Sequence, residues 1–107
     1  MDCIFCKITS GAITTDFVAE SEHAVVIRDI SPKKPVHLLV IPKEHYSDVA
    51  DLTEKNPAVL ADLMQLAVKV VRDKQLASFR LTFNTGAEAG QTVFHAHAHI
   101  TSISGSN

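Results

Sequence analysis

Gly90-Gln91-Thr92-Val93-Phe94-His95-Ala96-His97-Ala98-His99-Ile100 sets three histidines at alternate positions among small and apolar residues. Successive side chains of a β-strand face opposite sides. A strand over 92–102 therefore turns His95, His97 and His99 to one face and Ala96, Ala98 and Ile100 to the other. One face carries chemistry and the other packs. A rise of about 3.3 Å per residue separates neighbouring histidine Cα atoms by roughly 6.6 Å and the outer two by roughly 13 Å. Imidazoles spaced in this way do not grip a single ion together, and the spacing favours divided roles. An affinity tag is a contiguous histidine run outside any apolar pattern, and this run is neither.

Working outward from this strand, the chain reads as an α+β domain. Residues 3–9 form a short helix that Gly11 ends. Strands follow over 17–20 and 24–29, joined by Ser21-Glu22-His23. Pro32 and Pro35 break the chain before a buried strand, His37-Leu38-Leu39-Val40-Ile41, which Pro42 closes. Asn56 and Pro57 are a capping residue and a first-turn proline. Leu60, Leu63, Met64, Ala67, Val70 and Val71 then recur every three or four residues, a helix stripe that packs on a sheet. A fourth strand over 78–83 leads into the loop Asn84-Thr85-Gly86-Ala87-Glu88-Ala89-Gly90. Antiparallel strands with segregated helices make a single domain over 1–107.

Composition narrows the partners. The chain has 107 residues, 46% of them apolar, enough for one core. Ten basic against 12 acidic residues give a net charge of −2, so no electrostatic case exists for nucleic acid or a membrane surface. No apolar run approaches a bilayer span, and Met1-Asp2-Cys3 opens no basic-then-apolar leader, which sets a cytoplasmic expectation. Cys3 and Cys6 stand in a C-x-x-C spacing. In a reducing compartment this is a metal clip or a redox pair, and the absence of a preceding strand favours metal. A structural zinc needs two further donors, and any pair among six histidines can supply them.

The histidine row beside a glycine-bearing loop suits phosphorus chemistry. A neutral imidazole attacks phosphorus without prior activation. Backbone N–H groups at Gly90 to Thr92, the Thr92 hydroxyl, Asn84 and a second imidazole can offset charge on the phosphoryl oxygens. No Walker pattern and no G-x-S-x-G elbow offers a competing chemistry.

The run Gln91 to Ile100 resembles the H-x-H-x-H signature of the histidine triad (HIT) nucleotide hydrolases and transferases. Asp2-Cys3-Ile4-Phe5-Cys6-Lys7-Ile8, Asp29-Ile30-Ser31-Pro32 and Pro35-Val36-His37-Leu38-Leu39-Val40-Ile41-Pro42-Lys43-Glu44-His45 extend the resemblance over nearly the whole chain. It is nearest to the bacterial Hint branch. The resemblance implies a HIT fold: a five-stranded antiparallel sheet with one long and one short helix, two sheets being joined in a homodimer.

It also implies roles. His97 matches the nucleophile that forms a covalent nucleotidyl-histidine, His99 the contact on the phosphate and leaving-group side, and His37 a histidine behind the triad. Asn84, Gln91 and Thr92 match phosphate-binding positions beside Gly90. Asp29 matches the ribose-binding carboxylate, and its simplest alternative use is to cap the turn that follows. Ile4, Phe5, Ile8, Ile27, Ile30 and Leu39 match the slot for the base. In zinc-bearing relatives, residues at the positions of Cys3, Cys6, His45 and His95 form a closed structural site.

The implied substrate is a purine nucleotide of AMP or GMP type, released from a nucleoside phosphoramidate. Glu88-Ala89-Gly90-Gln91-Thr92-Val93 also resembles the Fhit branch, which points to dinucleoside polyphosphates. A nucleotide-binding or protein-interaction module with incidental activity is the non-enzymatic reading. Two features depart from the family pattern. Thr101 and Ser102 replace apolar residues after the triad, and relatives often carry a longer tail than one ending at Asn107.

Overall fold

A computed structural model describes residues 3–103 and 105. Asp2 of the N-terminal motif and the terminal Asn107 lie outside the described residues. Helix α1 spans Ile4–Ser10, followed by strands β1 (Ala19–Glu20), β2 (Ala24–Arg28) and β3 (Val36–Pro42). Helices α2 (Val49–Lys55) and α3 (Pro57–Asp73) come next, then β4 (Arg80–Thr82), a 3₁₀ turn at Ala87–Ala89 and β5 (Ala98–Ser102). The five strands form one antiparallel sheet in the order β1-β2-β3-β5-β4. The α+β expectation holds, with three helices where the sequence suggested two.

The elements follow from local chemistry. Asn56 Oδ1 accepts the Val59 N–H at 3.3 Å, and Pro57 begins α3 where an N–H would have no partner. Gly11, at φ +85°, ends α1 in the left-handed region that glycine enters without strain. Helix α2 escaped the sequence reading because it has a single buried residue, Leu52, and so no apolar period. Its start is set by Asp48, whose carboxylate accepts the Asp51 N–H at 2.8 Å.

Two apolar clusters sandwich the sheet. On one face, Val26, Val36, Leu38, Val40, Ala98 and Ile100 meet the α3 stripe of Val59, Leu63, Leu66, Ala67, Val70 and Val71. On the other, Val25, Ile27, Leu39 and Ile41 meet Cys3, Phe5 and Ile8 of the α1 segment. Ala96 lies in the first cluster too. Helix α3 thus closes behind the triad, and the small alanines let it approach.

The strand over 92–102 is shorter than expected. Val40 pairs with Ala98 in the last rung of the β3–β5 ladder, so the next partner for Ala96 is Pro42. Proline has no N–H to give, and its carbonyl lies 2.8 Å from His95 Nε2. The ladder stops, and the Ala96 N–H bonds to the Tyr46 carbonyl at 2.6 Å instead. Only His99 of the three histidines lies in the strand, yet the alternation of faces persists through Ala96.

Leu63 is fully buried under the sheet, and Met64 beside it is 37% exposed. Leu63→Ala is expected to lower unfolding free energy by about 2–5 kcal/mol in urea titration. Met64→Ala should change it by about 0.5 kcal/mol or less. Equal effects would contradict this placement of the core.

Candidate functional site

Two clusters of ligating side chains meet at the triad. The first joins Cys3, Cys6, His45 and His95, whose ligating atoms all lie within 4.8 Å of one another. His95 Nδ1 is 3.3 Å from Cys3 Sγ, 3.5 Å from Cys6 Sγ and 3.1 Å from His45 Nδ1, and Cys6 Sγ is 3.3 Å from His45 Nδ1. Ligands held about 2.0–2.3 Å from a tetrahedral ion stand roughly 3.3–3.8 Å apart, so these four sit near the corners of such a polyhedron.

The donor chemistry agrees with the spacing. His95 directs Nε2 at the Pro42 carbonyl, 2.8 Å away, so its neutral form carries the proton there and turns a bare Nδ1 towards the sulfurs. Burial holds the His95 pKa below its ordinary value and keeps the ring neutral. Burial and the neighbouring Cys3 sulfur push the Cys6 thiol up, a penalty that a bound cation reverses. The four residues fit a tetrahedral divalent cation.

The second cluster joins Asp29, His37 and His99. The Lys33 N–H donates to His37 Nδ1 at 3.2 Å, so neutral His37 carries its proton on Nε2. That nitrogen is 3.0 Å from His99 Nδ1 and 3.4 Å from Asp29 Oδ2. With its Nδ1 accepting from His37, neutral His99 presents an N–H at Nε2. The other Asp29 oxygen accepts the Ser31 N–H at 2.7 Å, so the carboxylate caps its turn and faces the histidines at once.

Between the clusters lies His97. Its Nδ1 is 2.8 Å from the carbonyl oxygen of His95, to which it donates, leaving Nε2 bare. The Phe5 ring stands edge-on to it, with centroids 4.9 Å apart, and the His99 ring lies at 5.0 Å. Burial lowers the pKa of both His97 and His99, and the nearby His97 and His37 lower His99 further. A neutral imidazole with a free nitrogen and a neighbouring N–H donor is equipped for attack on phosphorus.

Other expected residues divide. Phe5, Ile8, Ile27 and Leu39 pack together, with Phe5 edge-on to His95 and His97, whereas Ile4 is exposed and outside that cluster. Ile30 stands 98% exposed beyond β2.

The glycine loop differs from its sequence reading. The Gly90 N–H bonds to the Ala87 carbonyl and the Gln91 N–H to that of Gly86, at 3.0 and 3.1 Å. The 3₁₀ turn consumes two of the three amides expected to cradle phosphate, those of Gly90 and Gln91 but not that of Thr92. Gln91 is buried, with Oε1 accepting the Gly86 N–H at 2.9 Å and Nε2 donating to the Ser47 and Val93 carbonyls at 2.8 and 3.1 Å. With its donors spent on the backbone, it braces the loop rather than reaching a ligand. Asn84 and Thr92 make no side-chain hydrogen bond among the described residues, and they keep their polar groups for one. Sequence reasoning missed the Pro42 and Tyr46 carbonyls and the Lys33 amide, because backbone groups carry no residue signal.

The chain is similar to known proteins. The family described as scavenger mRNA decapping enzyme, C-terminal binding, matches residues 2–107. An uncharacterised HIT-like protein from Chlamydia muridarum is 38% identical over 101 residues, covering 94% of this chain and 80% of its own. A HIT family hydrolase from Clostridium thermocellum superposes with a TM-score of 0.87 at 42% identity, covering 94% of this chain and 89% of its own. A histidine triad protein from Clostridium difficile gives 0.88 at 36% identity, with 94% and 90% covered.

Gln91→Ala removes three hydrogen bonds, to the Gly86 N–H and the Ser47 and Val93 carbonyls, and a loss of about 1–3 kcal/mol is expected in urea unfolding. An unchanged unfolding midpoint would contradict the bracing role.

Proposed function

The chain belongs to the histidine triad (HIT) family, and from that membership we propose that it is a hydrolase of nucleoside 5′-monophosphate derivatives. Purine nucleoside phosphoramidates are the first candidates, with adenosine 5′-phosphoramidate yielding AMP. The observation that carries this reading is the 2.8 Å contact from His97 Nδ1 to the His95 carbonyl, which leaves Nε2 as a nucleophile.

Attack by that nitrogen forms the phosphorus–His97 bond as the bond from phosphorus to the leaving amine breaks. The leaving amine takes a proton from solvent, and the His99 Nε2–H offsets charge on the phosphoryl oxygens. Water then attacks phosphorus, the bond to His97 breaks and the nucleoside monophosphate departs. The proton lost by water replaces the one taken by the amine. Asn84 and Thr92 supply further phosphate contacts. Asp29 accepts from the ribose hydroxyls, as an acceptor-only group facing two donors. Phe5, Ile8, Ile27 and Leu39 receive the base, with Ile4 and Ile30 at its open edge.

Zinc is the ion proposed for Cys3, Cys6, His45 and His95. With four protein ligands the site is closed, so its contribution is structural. It would tie the α1 segment to the residues that hold His97. A cytoplasmic homodimer, its two sheets related by a twofold axis, completes the reading.

AMP release from adenosine 5′-phosphoramidate should fall by at least about 10³-fold in His97→Ala. Unchanged turnover would remove the nucleophile assignment. Purified protein should contain close to one zinc per chain, and chelation should lower its melting temperature. A metal-free preparation of equal stability would refute the structural role.

A further inference from the structure

Past His99, the same face of the sheet runs into a groove to which none of the roles above extends. Thr101 follows His99 by two residues on β5 and pairs with His37 on β3 and with Arg80 on β4. Side chains paired across strands share a face, so Thr101 and Arg80 continue the row of His37 and His99, about 6.6 Å further along. There Lys34, Ser78, Phe79, Arg80, Thr101 and Ile103 help line a groove of about 320 Å³.

The charged lining of this groove is cationic throughout. Neither Lys34 nor Arg80 has an ion-pair partner among the described residues. Lys34 follows directly on Lys33, whose N–H holds His37. Phe79 and Ile103, 41% and 78% exposed, add apolar walls.

Resting on the hydrolase reading, we propose that this groove receives the leaving group, and that Lys34 and Arg80 select leaving groups bearing an anion, a carboxylate or a phosphate. In-line displacement sets the leaving group opposite the attacking atom. Attack from His97 therefore directs it towards His99 and, beyond it, Thr101 and Arg80. The fork of an arginine matches either anion, and a second cation without a neutralising carboxylate strengthens the field.

The test uses the whole chain and three AMP derivatives: adenosine 5′-phosphoramidate, which leaves neutral ammonia; AMP joined through a phosphorus–nitrogen bond to the amino group of glutamate; and diadenosine tetraphosphate. The double variant Lys34→Ala/Arg80→Ala alters two exposed residues outside the reacting groups, and its melting temperature checks that the sheet is intact. About a tenfold fall in kcat/KM on either anionic leaving group, with ammonia release unchanged, supports the proposal. The substrate that suffers identifies carboxylate or phosphate as the anion. A uniform change on all three, or no change on any, overturns it. If the wild-type protein turns over none of the three, the hydrolase reading itself fails and the groove assignment falls with it.

Discussion

His95 is held at both ends of its residue, and the site depends on this. Its ring reaches the Pro42 carbonyl through Nε2 and turns Nδ1 to the sulfurs of Cys3 and Cys6. Its own carbonyl accepts from His97 Nδ1. One residue therefore links the cysteine–histidine cluster to the orientation and tautomer of its neighbour but one. The Ala96 N–H, bonded to the Tyr46 carbonyl, fixes the peptide between them. A shift in the chain at residues 42–46 would be felt at both clusters, because Pro42, His45 and Tyr46 all contact the same three-residue stretch.

The two-faced sheet makes this possible. Ala98 and Ile100 send their side chains into the cluster under α3, so the opposite face of the same segment is free for imidazoles. Burial beneath the α1 segment and against Phe5 then keeps His95 and His97 neutral. Under the proposed roles, neutrality serves different ends in the two residues. A metal ligand needs a lone pair facing the ion, and a nucleophile needs one facing phosphorus. Which ring nitrogen meets a carbonyl makes the distinction: Nε2 of His95 meets that of Pro42, and Nδ1 of His97 meets that of His95.

Much of this was legible in the residue pattern. Alternation through residues 95–100 assigned the faces correctly although β5 begins only at Ala98, because burial of Ala96 maintains the alternation where the ladder does not. Pro42 was read as a strand end, but its effect on the facing strand required the register. Helix α2 was hidden because one buried leucine makes no period. The glycine loop looked like a phosphate cradle since glycines expose amides, whereas its 3₁₀ turn closes the Gly90 and Gln91 amides on the carbonyls of residues 87 and 86. Asp29 was offered a ligand role or a capping role, and two carboxylate oxygens let it cap while facing His37. Proximity of His37 to His99 depends on pairing between β3 and β5, which residue types alone do not specify.

The central claim is that the His95 carbonyl fixes His97 with its proton on Nδ1 and leaves Nε2, the proposed nucleophile, bare. Two-dimensional ¹⁵N–¹H NMR of the histidine rings at neutral pH reads this directly, since protonated and bare ring nitrogens differ in shift. The account predicts that His97 is a single neutral tautomer protonated at Nδ1. A His97 ring protonated at Nε2, or averaging between the two tautomers, would contradict it.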